Sequence, residues 1–272
     1  MDNVNEFFAT LSSCLWGWPM IVLLLGTHVF LTIRLRFPQR KLFTAIRLSV
    51  QRDKSQKGDV SQFGALATAL AATIGTGNII GVATAVALGG PGAVFWCWLT
   101  GVFGISTKYS EALLAIKYRV KSEGGHMQGG PMYTLERGLG WRKMGTLFAV
   151  FTAIAAFGIG CTVQANAIST IMHASYGIST EVCGGVLMLL AAAVIIGGVK
   201  SISRVCSMLV PFMALLYVLG CIYILYVNGS YVAPALKLII SSAFSPEAAG
   251  GGFAGGSVIM AARYGIARGL FS

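Results

Sequence analysis

The sequence has 272 residues, of which 56% are hydrophobic and only 11% are charged, and its formal net charge is +11. A water-soluble domain of this size has about a quarter of its residues charged, so the composition excludes a surface that faces water throughout. Several apolar stretches reach the roughly 20 residues that a helix needs to cross a bilayer. We therefore predict an all-α, polytopic membrane protein.

The N-terminal region and the first membrane helix are assigned to residues 1–33. The start of the chain carries Asp2 and Glu6 and no basic residue, and the apolar stretch at 15–33 is longer than the core of a secretory signal. We therefore interpret this stretch as a retained membrane span.

A basic cytoplasmic loop is predicted over 34–63. Apolar side chains alternate there with basic ones, which predicts a short helix lying on the membrane surface. These apolar residues are Leu42, Phe43, Ile46, Leu48 and Val50.

Charge orients the remaining spans, which are predicted at 64–88, 92–116, 145–173, 180–199, 206–227 and from 250 onward. Alternate connections contain sixteen Lys or Arg on one side and one, Lys237, on the other. This is the positive-inside pattern, which predicts basic loops in the cytoplasm and the N-terminus outside. The charge thus orients the protein in a lipid bilayer and gives no support to nucleic-acid binding.

The topology predicts a repeat of five helices over 64–227, an external loop over 228–249, and the start of a second repeat over 250–272. Five crossings make the second repeat enter from the opposite side, as in inverted-repeat transporters. Under this interpretation the chain holds only the start of the second repeat, and we expect it to be incomplete and inactive alone.

A polar interruption, AATIGTGNIIG at 71–81, lies at the centre of the second span. Glycine inside a helix costs about 1 kcal/mol relative to alanine, so Gly75 and Gly77 weaken the helix at mid-membrane. Unwound backbone is tolerated at that depth only where it faces protein or a water-filled cavity.

Several functions could explain this interruption. Gly77 and Gly81 form a G-x-x-x-G step that favours helix packing, although this leaves the neighbouring threonines and the asparagine unexplained. A dinucleotide fingerprint has a different glycine spacing and follows a soluble strand, so we exclude it. The stretch Thr73–Asn78 is also similar to a potassium filter, which leaves a cation channel as the alternative function.

A discontinuous transporter helix accounts for every polar residue of the stretch. Unwound carbonyls can hold a cation, and the N–H groups that begin the outer half-helix favour a substrate carboxylate. The threonine and asparagine oxygens suit a monovalent ion. We therefore favour a secondary active transporter over a channel, and we expect no enzyme, since no catalytic set or phosphate loop is present.

Four segments together resemble the alanine or glycine:cation symporter family, also called sodium:alanine symporters. They are FGALATALAATIGTGNIIGVA, GGPGAVFWCWLTGVFG, QGGPMYTLERGLG and ARYGIARGLFS. The resemblance implies the leucine-transporter-type fold with an extra first helix. It also implies sodium-coupled symport of alanine and glycine by alternating access across the bacterial inner membrane, with sodium as coupling ion and no other cofactor.

The resemblance also implies the site residues. The substrate would bind at Gly75, Thr76, Gly77 and Asn78, and sodium would bind at the carbonyls of Ala71 and Ile74 with Thr73 close by. Three further residues would line the substrate pocket: Gln164, Phe271 and Ser272.

Charged residues inside the predicted spans suggest an ion pair. Lys108 and Glu111 can pair locally on the third span, while Arg263 and Arg268 lie deep in the last one. We hypothesise that Glu111 pairs with one of these arginines, and the alternative role for Glu111 is a proton relay.

Overall fold

The computed structural model describes residues 6–7, 10–11, 18–51 and 59–244, of which about 85% are helical. The helices are, in chain order, α1 (Trp18–Arg34), α2 (Leu42–Val50), α3 (Gln62–Thr73), α4 (Thr76–Gly89), α5 (Gly92–Lys117), α6 (Pro131–Tyr133), α7 (Arg142–Ala155), α8 (Val163–Tyr176), α9 (Thr180–Ile195), α10 (Gly198–Val227) and α11 (Gly229–Phe244). Two π-helical segments, Thr134–Gly138 and Ala156–Thr162, follow α6 and α7. The described helices confirm the predicted helical class.

Chain contacts divide the structure into two compact units, with divisions after Leu42, Thr76, Tyr109 and Leu216. One unit contains α1, nearly all of α4, the larger part of α5, the end of α10, and α11. The other contains nearly all of α2, α3, the end of α5, α6 to α9 and the start of α10.

Small residues occupy the most buried positions of both units. Ala85, Ala93 and Ala243 are buried in the first unit, and Ala67 is buried in the second. Small side chains let helix backbones approach closely, which is how helices associate when lipid removes the hydrophobic driving force between them. Large apolar side chains such as Phe212 lie instead on exposed helix faces.

Two described helical stretches, Gln62–Gly89 and Gly198–Val227, have the length and apolar composition needed to cross a membrane. A third such stretch is obtained if the two helical segments Met20–Arg34 and Pro38–Val50, which are bent relative to each other, are counted as one span. Two more apolar helices, α9 and α11, are shorter. Fewer helices meet this test than the sequence predicted as spans, in part because α5 carries Lys108, Glu111 and Lys117 in its second half.

Two predicted connections are helical in the structure. The cytoplasmic connection predicted at 200–205 lies inside α10, which begins at Gly198 with a φ of +68°. The external loop predicted over 228–249 contains α11, although Pro234 lies inside this helix. Proline inside a helix removes one helical hydrogen bond, and α11 continues to Phe244 despite that loss.

A short hairpin was missed by the sequence analysis. Strands β1 (Val120–Lys121) and β2 (Met127–Gln128) pair antiparallel, with Val120 opposite Gln128. Two-residue strands leave almost no alternating pattern from which they could be predicted. A helix, α2, is present where the interfacial helix was predicted after the first span.

Candidate functional site

The helix interruption predicted in AATIGTGNIIG is present, and it consists of Ile74 and Gly75. Ile74 has φ −84° and ψ 78°, outside the helical region, while its N–H still donates to Leu70 O at 2.7 Å. The N–H of Gly75 donates to Thr73 O at 3.1 Å, whereas a regular helix would direct it to Ala71 O. The helical hydrogen-bond pattern is therefore broken between α3 and α4.

Two helix ends of opposite partial charge meet at this break. The C-terminal end of α3 presents carbonyl groups, which carry partial negative charge. The N-terminal end of α4 presents N–H groups, which carry partial positive charge. This arrangement can hold a small cation on one side and a carboxylate on the other, with backbone atoms supplying most of the ligands.

The residues around the break differ in exposure. Thr73 is exposed, and its Oγ1 donates to Ala69 O at 2.9 Å. Ala71 and Asn78 are half-buried. A Cβ built on Gly75 would meet no atom within 4 Å. A side chain at Gly75 would therefore enter open space, and the φ of Gly75 lies outside the left-handed range that favours glycine.

The remaining predicted substrate residues lie on two different parts of the chain. Thr76, Gly77 and Asn78 form the first turn of α4. Gln164 is the second residue of α8 and is exposed. Phe271 and Ser272 lie outside the described residues, as do Arg263 and Arg268, the proposed ion-pair partners of Glu111.

A π-helical segment, Ala156–Thr162, immediately precedes Gln164 and was missed by the sequence analysis. Within it the Thr162 hydroxyl donates to Gly158 O. Its sequence contains Gly158 and Gly160, the same G-x-G spacing as at the break in α3–α4. That G-x-G spacing could have predicted a second irregular position in a helix. Such a position is of interest because π-helical turns are frequent at functional sites.

The start of α3 packs closely on α10. Ser61 precedes α3, and its side chain accepts a hydrogen bond from Gly64 N at 3.0 Å, which caps the helix. A Cβ added at Gly64 would collide with Ser203 Oγ on α10. Ser203 and the neighbouring Ala67 of α3 are both buried. Glycine is thus required here for close approach of the two helices.

The segment before α3 is also tied to the hairpin. Asp59 Oδ2 accepts a hydrogen bond from Met127 N at 3.0 Å, and His126 Nδ1 lies 3.5 Å from the same oxygen. The Asp59 carboxylate is largely buried, while His126 is exposed. Asp59 therefore fixes the entry to α3 from its predicted cytoplasmic side.

In the other unit, the end of α11 packs against the start of α5. A Cβ on Gly92 would lie 2.5 Å from Ser242 O, so the two backbones are in direct contact. Trp96 Nε1 donates to Ala243 O at 3.3 Å, and the rings of Phe95 and Phe244 are 5.0 Å apart. Phe95 and Trp96 of α5 thus pack partly on protein.

Comparison with known proteins decides the family. The model of the sodium:alanine symporter family matches residues 1–272. The chain belongs to the sodium:alanine symporter family. This confirms the resemblance seen in the sequence.

The chain is similar along its length to proteins of other organisms. It is 50% identical to the "Sodium/alanine symporter AgcS" of Methanococcus maripaludis, over 100% of this chain and 60% of the relative. It is 50% identical to an "Uncharacterized transporter" of Haemophilus influenzae, over 99% of this chain and 60% of the relative. It is 40% identical to the "Putative sodium/proton-dependent alanine carrier protein YrbD" of Bacillus subtilis, over 98% of this chain and 54% of the relative.

The chain thus spans about 60% of the length of the first relatives it matches. Membership of the sodium:alanine symporter family, together with apolar helices of membrane-spanning length, identifies a membrane protein of a transporter family. Among the described residues, no three His, Cys, Asp or Glu side chains are grouped as a metal site would require.

Proposed function

We propose that this protein is a secondary active transporter that carries alanine or glycine together with sodium across the bacterial plasma membrane. The observation that carries the proposal is the break at Ile74 and Gly75 within a helical stretch of membrane-spanning length. Such breaks place dehydrated ligands at mid-membrane in alternating-access transporters. Membership of the sodium:alanine symporter family supports the choice of ion and substrate.

Sodium would bind at the end of α3. The N–H that would otherwise occupy the carbonyl of Ala71 is directed to Thr73 O, and the carbonyl of Ile74 lies beyond the last helical residue. Neutral oxygens of this kind can replace the hydration shell of a monovalent cation. Thr73, the last residue of α3, would add a hydroxyl oxygen.

The amino acid would bind at the start of α4. Its carboxylate would accept hydrogen bonds from backbone N–H groups of the segment from Gly75 to Asn78, where the helix dipole favours negative charge. The Asn78 side chain would add a contact. We further propose that Gln164, Phe271 and Ser272 complete the pocket, with the second helix break supplied by an inverted repeat.

The channel alternative is not supported. A selectivity filter lies in a re-entrant loop between complete spans. Here the break occupies two residues within the stretch Gln62–Gly89, which is 28 residues long and apolar enough to cross the membrane as one unit. The two relatives above whose names mention an ion are called a symporter and a carrier protein.

Uptake of labelled alanine by reconstituted vesicles tests this function. An inward sodium gradient should drive alanine accumulation above equilibrium, and collapsing the gradient should abolish it. A proton gradient applied in potassium buffer distinguishes sodium coupling from proton coupling. Cation flux that continues without alanine and without coupling would contradict the proposal and favour a channel.

A further inference from the structure

Helix α2 exposes nearly its whole surface. Every side chain from Lys41 to Val50 is exposed except that of Ser49, which is half-buried. Phe43 is 83% exposed, the most extreme aromatic of this region. An exposed phenylalanine on a short helix needs an apolar environment, which the described parts of the protein do not supply.

Four of the five large apolar side chains of α2 lie on one side of the helix. At 100° per residue, they fall within an arc of about 100°: Leu42, Phe43, Ile46 and Val50. Thr44 lies on the opposite side, together with the fifth apolar residue, Leu48. An apolar arc flanked by basic residues is typical of a segment that lies in the membrane interface.

The charges around α2 are all of one sign. Between Arg34 and Gln51 the chain carries five basic residues and no acidic residue. Arg40 and Lys41 belong to the 3-10 turn Pro38–Lys41 that precedes α2, and Arg47 belongs to α2 itself. Their side chains are exposed and can reach anionic groups beside the apolar arc. Arg40 also lies over the Phe37 ring, 5.5 Å from its centroid.

Helix α2 is not a straight continuation of the first membrane span. The chain bends by 62° between Met20–Arg34 and Pro38–Val50. Arg36 and Phe37 form the corner with φ values of 56° and 59°, a left-handed conformation that non-glycine residues rarely adopt. A straight continuation of a helix that crosses the bilayer would carry the apolar arc of α2 into water, whereas a bend can lay it along the membrane surface.

Hydrogen bonds hold this corner against α5. Gln39 Nε2 donates to Val102 O at 2.9 Å and to Ser106 Oγ at 3.1 Å. Thr32 Oγ1 is 2.8 Å from the same Ser106 oxygen, and both Thr32 and Ser106 are at most 1% exposed. The end of α1 and the turn leading into α2 are therefore fixed to α5 by these side chains.

We propose that α2 is an interfacial helix that binds anionic phospholipid headgroups through Arg40, Lys41 and Arg47, while its apolar arc enters the acyl region. The exposed arc, the single sign of charge and the fixed corner all favour an anionic membrane surface as the partner. Basic side chains are attracted to anionic leaflets, and apolar area adds to the binding. This inference is independent of the transported substrate.

Native mass spectrometry tests the headgroup contact. The purified protein is exposed to equal amounts of phosphatidylglycerol and phosphatidylcholine, and the retained lipids are counted. The variant Arg40→Gln/Lys41→Gln/Arg47→Gln should lose phosphatidylglycerol retention at least tenfold. The control Arg137→Gln/Arg142→Gln/Lys143→Gln removes the same charge from the other basic loop and should retain it. Equal losses in both variants, or no loss in either, would overturn the proposal.

Spin-label accessibility tests the apolar arc in vesicles that contain phosphatidylglycerol. Single cysteines are introduced at position 46 or 44 in a background without the six native cysteines, as Ile46→Cys or Thr44→Cys. A nitroxide at position 46 should be more accessible to oxygen, and one at 44 to a water-soluble nickel complex. Equal nickel accessibility at both positions, or shielding of position 46 from both reagents, would contradict membrane contact.

Discussion

The N–H of Gly75 donates to the carbonyl of Thr73 at 3.1 Å, two residues back along the chain. A continuous helix would direct the same N–H to Ala71. This one shift separates α3 from α4 and makes backbone groups available near the middle of a stretch long enough to span the membrane. The proposed sodium and carboxylate sites both depend on it.

Closing the break should impair transport. In Gly75→Ala the new Cβ meets no atom, so its main effect is to favour a continuous helix by about 1 kcal/mol. This corresponds to a loss of about fivefold in sodium-driven alanine uptake at subsaturating alanine. The control Gly101→Ala, also in open space but inside α5, should leave uptake nearly unchanged. Similar losses in both variants would show that the break has no special role.

The contact of α3 with α10 should tolerate no added methyl group at Gly64. In Gly64→Ala the Cβ collides with Ser203 Oγ, which should destabilise the protein by about 1–3 kcal/mol. The second change in Gly64→Ala/Ser203→Ala removes that oxygen and should recover part of the loss. Thermal unfolding in detergent measures both, with Gly184→Ala as the control because a Cβ there meets no atom. An unchanged midpoint for Gly64→Ala would contradict the close contact.

Removing the Asp59 carboxylate should release the hairpin from α3. Asp59→Ala deletes the acceptor of the Met127 N–H, and a hydrogen bond to a charged group contributes about 1.5–3 kcal/mol. Hydrogen exchange of the peptide containing Met127 should therefore accelerate by at least tenfold. Asp59→Asn keeps an acceptor oxygen and should have a smaller effect. The control Glu123→Ala removes an exposed acid of the same hairpin and should not alter exchange if the account is right.

Docking of α11 should depend on Gly92. The Cβ of Gly92→Ala would meet backbone atoms of Ser242 and Ala243 at 2.5 to 2.7 Å, and backbone cannot rotate away as a side chain can. We expect faster hydrogen exchange in α11 and a lower unfolding temperature. Gly104→Ala lies in open space on the same helix and is the matched control. Unchanged exchange in α11 would show that this contact does not hold the helix.

The position of the break could be predicted because the sequence places two glycines and several polar residues in an apolar run. The same reasoning did not identify the π-helical segment before Gln164, although Gly158 and Gly160 have the same spacing as Gly75 and Gly77 and are followed by Thr162. Local composition predicts where a helix is weak. It does not predict which irregular hydrogen-bond pattern replaces the regular one.

Helix α11 lies in the stretch that was predicted as an external loop between two membrane spans. The contact of its end with α5, through Trp96 and the Ala243 carbonyl, joins segments that are distant in sequence. The α2 helix was predictable for the opposite reason, since its apolar arc is a local pattern. Contacts such as Asp59 with Met127 also join distant segments, and no single stretch of sequence indicates them.

The most direct test of the binding site is hydrogen exchange across residues 71–78, measured by mass spectrometry on the protein in vesicles. The samples contain sodium with alanine, potassium with alanine, or sodium alone. We predict that exchange of the amides from Gly75 to Asn78 slows most when sodium and alanine are both present, because the carboxylate accepts those N–H groups beside the bound cation. Exchange at the break that is the same in all three samples, while alanine uptake remains sodium-dependent, would contradict the proposed site.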